Sequence, residues 1–566
     1  MKKIALWIIA AVLIVGASVA IFMFASSEDK VEELKPIEDP VFLYVNLAQL
    51  AQKGAFDKFI TPENRALVAT ALSSQLESVE QAEHLKNIVN NIDAVGIDTQ
   101  APIYGYINDD LTNGVIIAKL ADATLLDRSV ELLSYILEQS GENAIEVLTD
   151  GDIRTFEYEN IVAVYNKTAL AITLGEGNGD FNFAIEALNR PQVDMSVFGA
   201  SDMAALINTG KCIQLANEKI NEAMLELNQR YSAGEIDEAA FNIQNNELTN
   251  QSELILSYAS HLAPNSNIVL STTFDLGRMT LAYNSHGITF GEYAGMCKET
   301  NMEHLSNLSK DSYAVMSMGV DGNILANFVR TILNDEMLQS VGITPTNEVN
   351  MFVSIACDAL STINGGVTLA LEEVDGQIKQ QYNYYWDEYS VEPAIKNIKA
   401  MLMADVSDTY IISNIAQFAG GFLNRVDATH YTLRLLNYNF SMGQDENLFH
   451  LGVNMTPGVQ SPSALEAEWA KDVEDAIGYM VVNVDALMSG RFMKSANDYI
   501  SSQILKEYRG LYNDATEAVS YIYLSADSLE SAEMVVVFDN KSVNALEQIN
   551  SIVLPVLIRE GVKSLY

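Results

Sequence analysis

The chain has 566 residues, 49% of them hydrophobic, and 75 acidic against 33 basic residues give it a formal net charge of −42. This length supplies several hydrophobic cores, and the high apolar fraction excludes a mainly disordered chain. Because so acidic a surface repels phosphate groups and no basic stripe offsets it, we expect no nucleic-acid partner and repulsion of anionic lipid headgroups.

An uncharged apolar run lies at the N-terminus. Residues 4–25 read "IALWIIAAVLIVGASVAIFMFA" after Lys2 and Lys3, and an acidic linker follows at 27–39. The run matches the roughly 20 residues that cross a bilayer and exceeds the apolar part of an ordinary secretory signal. The two lysines favour a cytoplasmic N-terminus. We therefore predict a signal anchor at 1–26, a single-pass helix in the inner membrane with a periplasmic body. Secretion after cleavage is the alternative.

The three cysteines are Cys212, Cys297 and Cys357. None lies in a C-x-x-C pair or beside a histidine, so the sequence contains no zinc or redox motif. An odd count allows at most one disulfide, and the spacing does not decide which residues would pair. Cys357, within "FVSIACDAL", fits a small buried apolar residue.

One pattern occurs twice: an apolar run, an asparagine, and then apolar residues at helical spacing. It reads "VFLYVNLAQL" at 41–50 and "IGYMVVNVDAL" at 477–487. An apolar run without polar alternation predicts a buried strand, and an asparagine after it can cap the first turn of a helix. We therefore predict a strand followed by a capped helix at Asn46 and Asn483. Similar transitions are predicted at Asn208, Asp321 and Asn414.

Segments between these transitions read as antiparallel strands joined by short turns. Examples are "APIYGYINDDLTNGVIIAKL" and "EVLTDGDIRTFEYENIVAVYNKTALAITLGEG", in which apolar runs flank Asn-, Asp- and Gly-containing turns. The segment 212–258 differs, since it reads as a helical hairpin. Its stripe has three- and four-residue spacing and predicts packing on a sheet or, alternatively, a partner-binding seam: Ile213, Ala216, Ile220, Met224, Leu227 and Tyr231.

These patterns predict an α+β fold of duplicated units, each an antiparallel sheet covered by helices, behind one N-terminal transmembrane helix. The first α+β region is placed at 40–300, including the hairpin, and the second at 301–566. The six histidines are scattered without paired spacing, and no nucleophile elbow, phosphate loop or calcium loop is present. We therefore predict no catalytic, metal-binding or cofactor-binding residue.

The best candidate for ligand binding is an aromatic row in "QQYNYYWDEY" at 380–389. On a strand, Tyr382, Tyr384 and Trp386 share one face. An exposed aromatic row suits stacking on a sugar or a peptide. The alternative is a covered sheet face with aromatic cross-strand pairs.

The strand opening followed by "NLAQLAQKG" at 46–54, together with "VGIDTQAPIYGYI" at 95–107, resembles a domain-of-unknown-function family of Bacteroides-type bacterial envelope proteins. The likeness covers about 36–290 and is looser beyond. It implies export to the envelope and a repetitive α+β fold, with no established activity and hence no transferable site residue. Many members resemble lipoproteins, but here no cysteine follows the apolar run, which supports a helix anchor.

Three functions follow as hypotheses. The first is a non-enzymatic envelope protein, anchored through 4–25, whose exported body binds or scaffolds another envelope component. The second is a carrier or chaperone-like protein for a lipid or glycan. The third, ranked last, is a hydrolase with a site assembled from distant residues. Partners would then be an envelope protein, a lipid or a glycan.

Overall fold

The computed structural model describes residues 37–564, apart from 75, 110, 160, 176–180, 191–192, 260–261, 290, 292–293, 334–345, 384–387, 420 and 505–507. The predicted anchor at 4–25 lies outside these residues and stays a prediction. Among the described residues, no helix is both long and apolar enough to cross a membrane.

The fold is α+β, with antiparallel pairing throughout the strands described, and it forms two compact units. Unit 1 comprises the described residues up to Ile288 and those from Lys541 onward, and unit 2 comprises 289–540. The sequence-based division at 300/301 instead assigns all later residues to one region. The C-terminal segment belongs to unit 1 because its side chains bond there: Asn550 Nδ2 donates to Gly54 O at 2.9 Å, and Asn544 Nδ2 donates to Phe274 O at 2.9 Å.

Unit 1 contains ten strands among its described residues. Their order in the sheet is β4-β5-β6-β7-β3-β2-β1-β8-β9-β10. The bounds are β1 Val41–Val45, β2 Ile103–Ile107, β3 Asn113–Lys119, β4 Leu148–Asp150, β5 Ile153–Tyr158, β6 Ile161–Tyr165, β7 Ala169–Gly175, β8 Met203–Ile207, β9 Leu262–Asp275 and β10 Arg278–Ile288.

Unit 2 contains eleven strands in the described part of the chain. Ten of them follow the order β15-β16-β17-β18-β14-β13-β12-β19-β20-β21, and the short β11 pairs with β12 beyond the end of β19. The bounds are β11 Cys297–Lys298, β12 Ala314–Asp321, β13 Ile363–Asn383, β14 Glu388–Val406, β15 Asn424–Arg425, β16 His430–Leu435, β17 Tyr438–Asp445, β18 Leu448–Val453, β19 Gly478–Asn483, β20 Val519–Ala526 and β21 Ser531–Phe538.

The two sheets have the same strand order when each strand of unit 1 is matched to its counterpart in unit 2. Strand β1 of unit 1 and strand β12 of unit 2 both lie inside their sheets, and on one side each pairs with the first strand of the next hairpin, β2 or β13. On the other side it pairs with the strand that follows the meander, β8 or β19. Each of the four strands β1, β8, β12 and β19 leads directly into a helix. The repeated sequence pattern therefore marks the same two neighbouring inner strands of each sheet, β1 and β8 in unit 1 and β12 and β19 in unit 2.

The helices of unit 1 are α1 Leu47–Gly54, α2 Pro62–Ser73, α3 Val79–Asn90, α4 Ala123–Gln139, α5 Phe181–Leu188, α6 Thr209–Ser232, α7 Glu238–Ala259 and, at the C-terminus, α14 Ala545–Ser564. The segment of the predicted hairpin thus forms α6 and α7. In unit 2 they are α8 Gly322–Ile332, α9 Asn347–Ser361, α10 Tyr410–Ala419, α11 Val484–Ser489, α12 Arg491–Gln503 and α13 Arg509–Glu517.

The strand-to-helix junctions show why the sequence pattern recurs. Asn46 accepts a hydrogen bond from Gln49 N at 3.1 Å, and Asn483 accepts one from Ala486 N at 3.1 Å, so each caps the helix that follows. Asp321 caps α8 in the same way. Asn208 occupies the same position before α6, but its side chain donates to Asp39 O at 3.1 Å.

The strand predicted before Asn414 is wrong, because Asn414 lies inside α10 and donates to Tyr410 O at 2.8 Å. The helix begins at Tyr410, four residues before Asn414, and Asp408 Oδ1 accepts a hydrogen bond from Tyr410 N at 2.8 Å. Ile411, Ile412 and Ile415 pack into a small core on one helical face. This burial outweighs the weak preference of β-branched residues for strands.

The cysteines form no disulfide. All three are free, and Cys357 is fully buried in α9 as the sequence suggests, whereas Cys212 and Cys297 are partly exposed.

We expect Asn483→Ala to lower the free energy of unfolding of unit 2 by about 1 kcal/mol, because it removes the N-cap acceptor of α11. Asn414→Ala is the matched control, since alanine is favoured inside a helix; it should change stability by no more than about 0.5 kcal/mol. Urea unfolding followed by circular dichroism measures both. Equal losses for the two variants would contradict the assignment of Asn483 as a cap.

Candidate functional site

The aromatic row predicted as a ligand site is only partly within the described residues. Tyr384 and Trp386 lie outside them. The backbone of Tyr382 is in β13, opposite Tyr389 of β14, while its side chain is outside the description. The proposed role of Tyr382, Tyr384 and Trp386 stays a prediction.

A different feature of unit 2 stands out, an apolar face of its sheet that the described part of the chain leaves largely uncovered. Strand pairing places three rows of six residues side by side across β14, β13, β12, β19, β20 and β21. The middle row is Leu402, Leu369, Met316, Met480, Leu524 and Met534. The rows beside it are Ala400, Leu371, Ala314, Val482, Ile522 and Val536, and Ala404, Val367, Met318, Gly478, Ala526 and Ala532. We call this surface the open face.

The open face carries no polar side chain, yet large side chains on it contact solvent. Leu369 is 52% exposed, Met316 46% and Met480 45%. Leu524, Met318 and Met534 are exposed as well. With strands about 4.8 Å apart and alternate residues about 6.8 Å apart, the three rows cover roughly 24 Å by 14 Å. That is on the scale of the largest apolar patches on soluble monomers, which are often functional.

The opposite face of the same six strands is the main core of unit 2. The row alternating with the middle row of the open face is almost completely buried: Met401, Ala370, Val315, Val481, Tyr523 and Val535. Trp469 and the residues around it, in 3₁₀ turns at Ala464–Glu466 and Glu468–Val473, cover that row. Strands that are apolar on both faces, as these are, are usually buried on both faces.

One end of the open face is covered. There α10 packs Ile411, Ile412 and Ile415 against Ala404 and Val367. The cover does not reach β12, β19, β20 and β21, on which the large outward side chains of Met316, Met318, Met480, Leu524 and Met534 are exposed. The part of the open face on β12, β19, β20 and β21 is therefore the part available to a ligand.

Unit 1 has a similar but less uniform surface. A row across its central strands contains Ile116, Gly105, Leu43, Ala205 and Leu270, and Leu43 is 48% exposed. Thr272 and Ser285 lie among the outward-facing residues of its last two strands. The open face of unit 2 is therefore the better candidate for an apolar ligand.

A hydroxyl–histidine–carboxylate chain occurs in the core of unit 2. The imidazole of His304 hydrogen-bonds through Nδ1 to Thr368 Oγ1 at 2.9 Å and through Nε2 to Asp405 Oδ1 at 3.1 Å. Thr368 Oγ1 also hydrogen-bonds to Ser317 Oγ at 2.9 Å. Thr368, Ser317 and His304 are all at most 2% exposed, so no substrate reaches their polar atoms. This row of hydrogen-bonded side chains resembles a catalytic triad in composition only, and we assign it a structural role.

The carboxylate of Asp405 is the charged end of this chain. Burial by itself raises the pKa of Asp405, but hydrogen bonds from His304, Asn301 and the Gly366 N–H outweigh it and hold this pKa below the ordinary carboxyl value. Nearby, burial raises the pKa of Tyr479 to about 12. The hydrogen bonds that join Ser317, Thr368, His304 and Asp405 stabilise one another, which favours a fixed geometry of β12, β13 and β14.

The sequence pattern of the strands that form the open face predicts burial, not exposure. The strands "YAVMSMGV" and "GYMVVN" are apolar at nearly every position, and this pattern predicts burial of both faces. Only the structure reveals that the described residues leave most of one of these faces without a cover.

Comparison with known proteins adds little. No protein-family model and no curated protein matches the chain. Among solved structures, crystal forms III, IV and I of TP0453 are similar over 44–47% of this chain and 79–80% of theirs. Sequence identity is 12–13% and the TM-score is 0.19–0.20, too low to carry an argument about fold or function.

Proposed function

We propose that this chain is a non-enzymatic, membrane-anchored envelope protein whose exported body binds the acyl chains of a lipid on the open face. In this proposal residues 4–25 form the anchor, and the two units of equal strand order arose by duplication. The observation that carries the proposal is the set of eighteen adjoining apolar positions of which Met316, Leu369 and Met480 are about half exposed.

The chemistry of the open face suits an acyl chain. It offers no side-chain hydrogen bond, whereas a typical protein–protein interface forms about one hydrogen bond per 100–200 Å². Four of its six exposed large side chains are methionines, Met316, Met318, Met480 and Met534. Methionine adapts to irregular apolar shapes because its side chain is unbranched and polarizable. Each methylene removed from water contributes about 0.8 kcal/mol, so contact with one acyl chain gives a useful affinity.

The predicted anchor supports a lipid rather than another apolar ligand. A linker at 27–39 spans at most about 45 Å when fully extended, so the body would stay close to a bilayer. Lipid would then be the apolar compound at the highest local concentration. The net charge of −42 disfavours anionic headgroups, so we expect a zwitterionic or uncharged lipid.

We expect a photoactivatable phosphatidylethanolamine, with the reactive group in its acyl chain, to label β12 and β19 of the full-length protein in detergent. In the double variant Met316→Gln, Met480→Gln the labelling of these strands should fall at least about tenfold, because polar side chains then break the middle row of the open face. Peptide mass spectrometry after digestion locates and quantifies the labelled sites.

The matched control is Leu225→Gln, Ile243→Gln, which removes two equally exposed apolar side chains, each 63% exposed, from the helical hairpin. It should label as the wild type does. Equal labelling of β12 and β19 in the open-face variant and the wild type contradicts the proposal. So does a stoichiometric protein partner that occupies the open face in place of lipid; that result would favour the scaffold function.

A further inference from the structure

Three residues capable of binding a metal converge at the edge of the unit 2 sheet, away from the open face. His430 is on β16, Asp445 on β17 and His450 on β18, three neighbouring antiparallel strands. One ligand atom from each lies within 4.8 Å of the other two. The sequence alone does not predict these metal ligands, because residues 15 and 5 positions apart converge only through strand pairing.

Gly443 creates the space in which the two imidazole rings meet. The register places it directly opposite His430 on one side and His450 on the other. A Cβ at this position would lie 2.8 Å from His430 Nε2 and 2.7 Å from His450 Cε1, so any larger residue would fill the gap between the rings. The ring centroids are 5.7 Å apart.

The hydrogen bonds of His430 orient it as a ligand. Its Nδ1 lies 2.9 Å from Asp427 Oδ1 and therefore donates to that carboxylate, while Nε2 lies 3.2 Å from Asp445 Oδ1. A carboxylate that holds the far nitrogen of a histidine fixes the ring and leaves the near nitrogen to bind a metal. Asp427 thus orients the His430 ring and is not itself a metal ligand.

His450 provides the second, independent observation. Its side chain is buried, the residue being only 3% exposed, and its Nδ1 has no hydrogen-bond partner in the described chain. A buried nitrogen without a partner is unfavourable, and a metal ion bound through His450 Nδ1 would supply that partner. Asp445, by contrast, has a side chain that is 63% exposed, so the cluster opens to solvent on one side.

We propose that His430, Asp445 and His450 bind one divalent transition-metal ion of the zinc class, with water in the remaining position. Two imidazoles and one carboxylate suit zinc and its neighbours, whereas calcium and magnesium prefer oxygen ligands alone. Bonds of about 2.1 Å place tetrahedral ligand atoms about 3.4 Å apart, so small side-chain rotations close the present spacing.

Equilibrium dialysis of the full-length protein against zinc tests this site. Millimolar magnesium and calcium are added to occupy the many surface carboxylates. Carboxylates bind these ions as well as zinc, whereas imidazoles favour zinc. We expect one zinc per chain. The variants His430→Gln and Asp445→Asn should each weaken binding at least about tenfold, and Asp427→Asn by about 10–100-fold through loss of ring orientation.

The matched control is Asp311→Asn, an exposed carboxylate in the loop before β12, which should bind zinc as the wild type does. X-ray absorption of the bound zinc should show nitrogen or oxygen neighbours at about 2.0–2.1 Å with imidazole scattering. Asp445→Asn changes an exposed side chain and so separates ligand loss from misfolding. The proposal is overturned by the absence of a single saturable site, or by a site that Asp445→Asn and His430→Gln leave unchanged.

Discussion

Val315→Asp should unfold unit 2, whereas Met316→Asp, one residue along the same strand, should leave it folded. Val315 is 1% exposed and lies at the centre of the main core, while Met316 is 46% exposed on the open face. A carboxylate buried without a partner costs several kcal/mol, which is comparable with the whole stability of a domain. We expect a loss of at least about 4 kcal/mol for Val315→Asp and of less than about 1 kcal/mol for Met316→Asp.

Urea unfolding followed by far-ultraviolet circular dichroism measures both losses. The pair Val481→Asp and Met480→Asp on β19 repeats the test, since Val481 is 1% exposed and Met480 is 45% exposed. If Met316→Asp and Met480→Asp were as destabilising as their neighbours, part of unit 2 would have to cover the open face. The lipid proposal would then lose the surface on which it depends.

The local part of this fold could be predicted from the sequence. Asn46 and Asn483 each follow an apolar run, and their side chains cap helices, because capping depends on residues three positions apart. The hairpin of β2 and β3 could be predicted for the same reason, since its turn is encoded between the strands. Both signals act over short distances along the chain.

The order of strands could not be predicted in this way. Phe42 of β1 lies opposite Tyr106 on one side and Leu206 on the other, so each central strand pairs with distant segments. Nothing local specifies such pairings, which are decided by the packing of the whole core. Both candidate sites depend on them. Met316 and Met480 become neighbours only through the pairing of β12 with β19, and His430 and His450 converge only across β17.

The solvent exposure of side chains could not be predicted from the sequence either. The sequence indicates that Met316 is apolar and on a strand, but not that the helix covering this face, α10, ends its contact at Ala404 and Val367. The aromatic row at Tyr382, Tyr384 and Trp386 illustrates the same limit. Its alternation predicts a shared face, and whether that face binds a ligand depends on what packs against it.

The row of hydrogen-bonded side chains that ends at Asp405 predicts a stability that depends on pH. Asp405→Asn should lower the free energy of unfolding of unit 2 by about 2–3 kcal/mol at pH 7, because an amide cannot accept hydrogen bonds at both side-chain atoms. Oδ1 accepts from His304 Nε2 at 3.1 Å and Oδ2 from Gly366 N at 2.7 Å. The NH₂ group of asparagine would face a donor at one of them.

The sign of the pH effect follows from the lowered pKa of Asp405. A carboxyl whose pKa is lower in the folded state stabilises the fold at pH values above its ordinary pKa of about 3.9. That stabilisation disappears as the pH falls through the lower folded-state pKa, where the wild-type carboxyl becomes protonated. The stability difference between wild type and Asp405→Asn should therefore shrink as the pH is lowered from 7 to about 3. Asp311→Asn, on an exposed loop, should show no comparable difference at either pH. Urea unfolding at a series of pH values measures this difference, and a constant loss across the series would mean that the shape of Asp405, not its charge, stabilises the core.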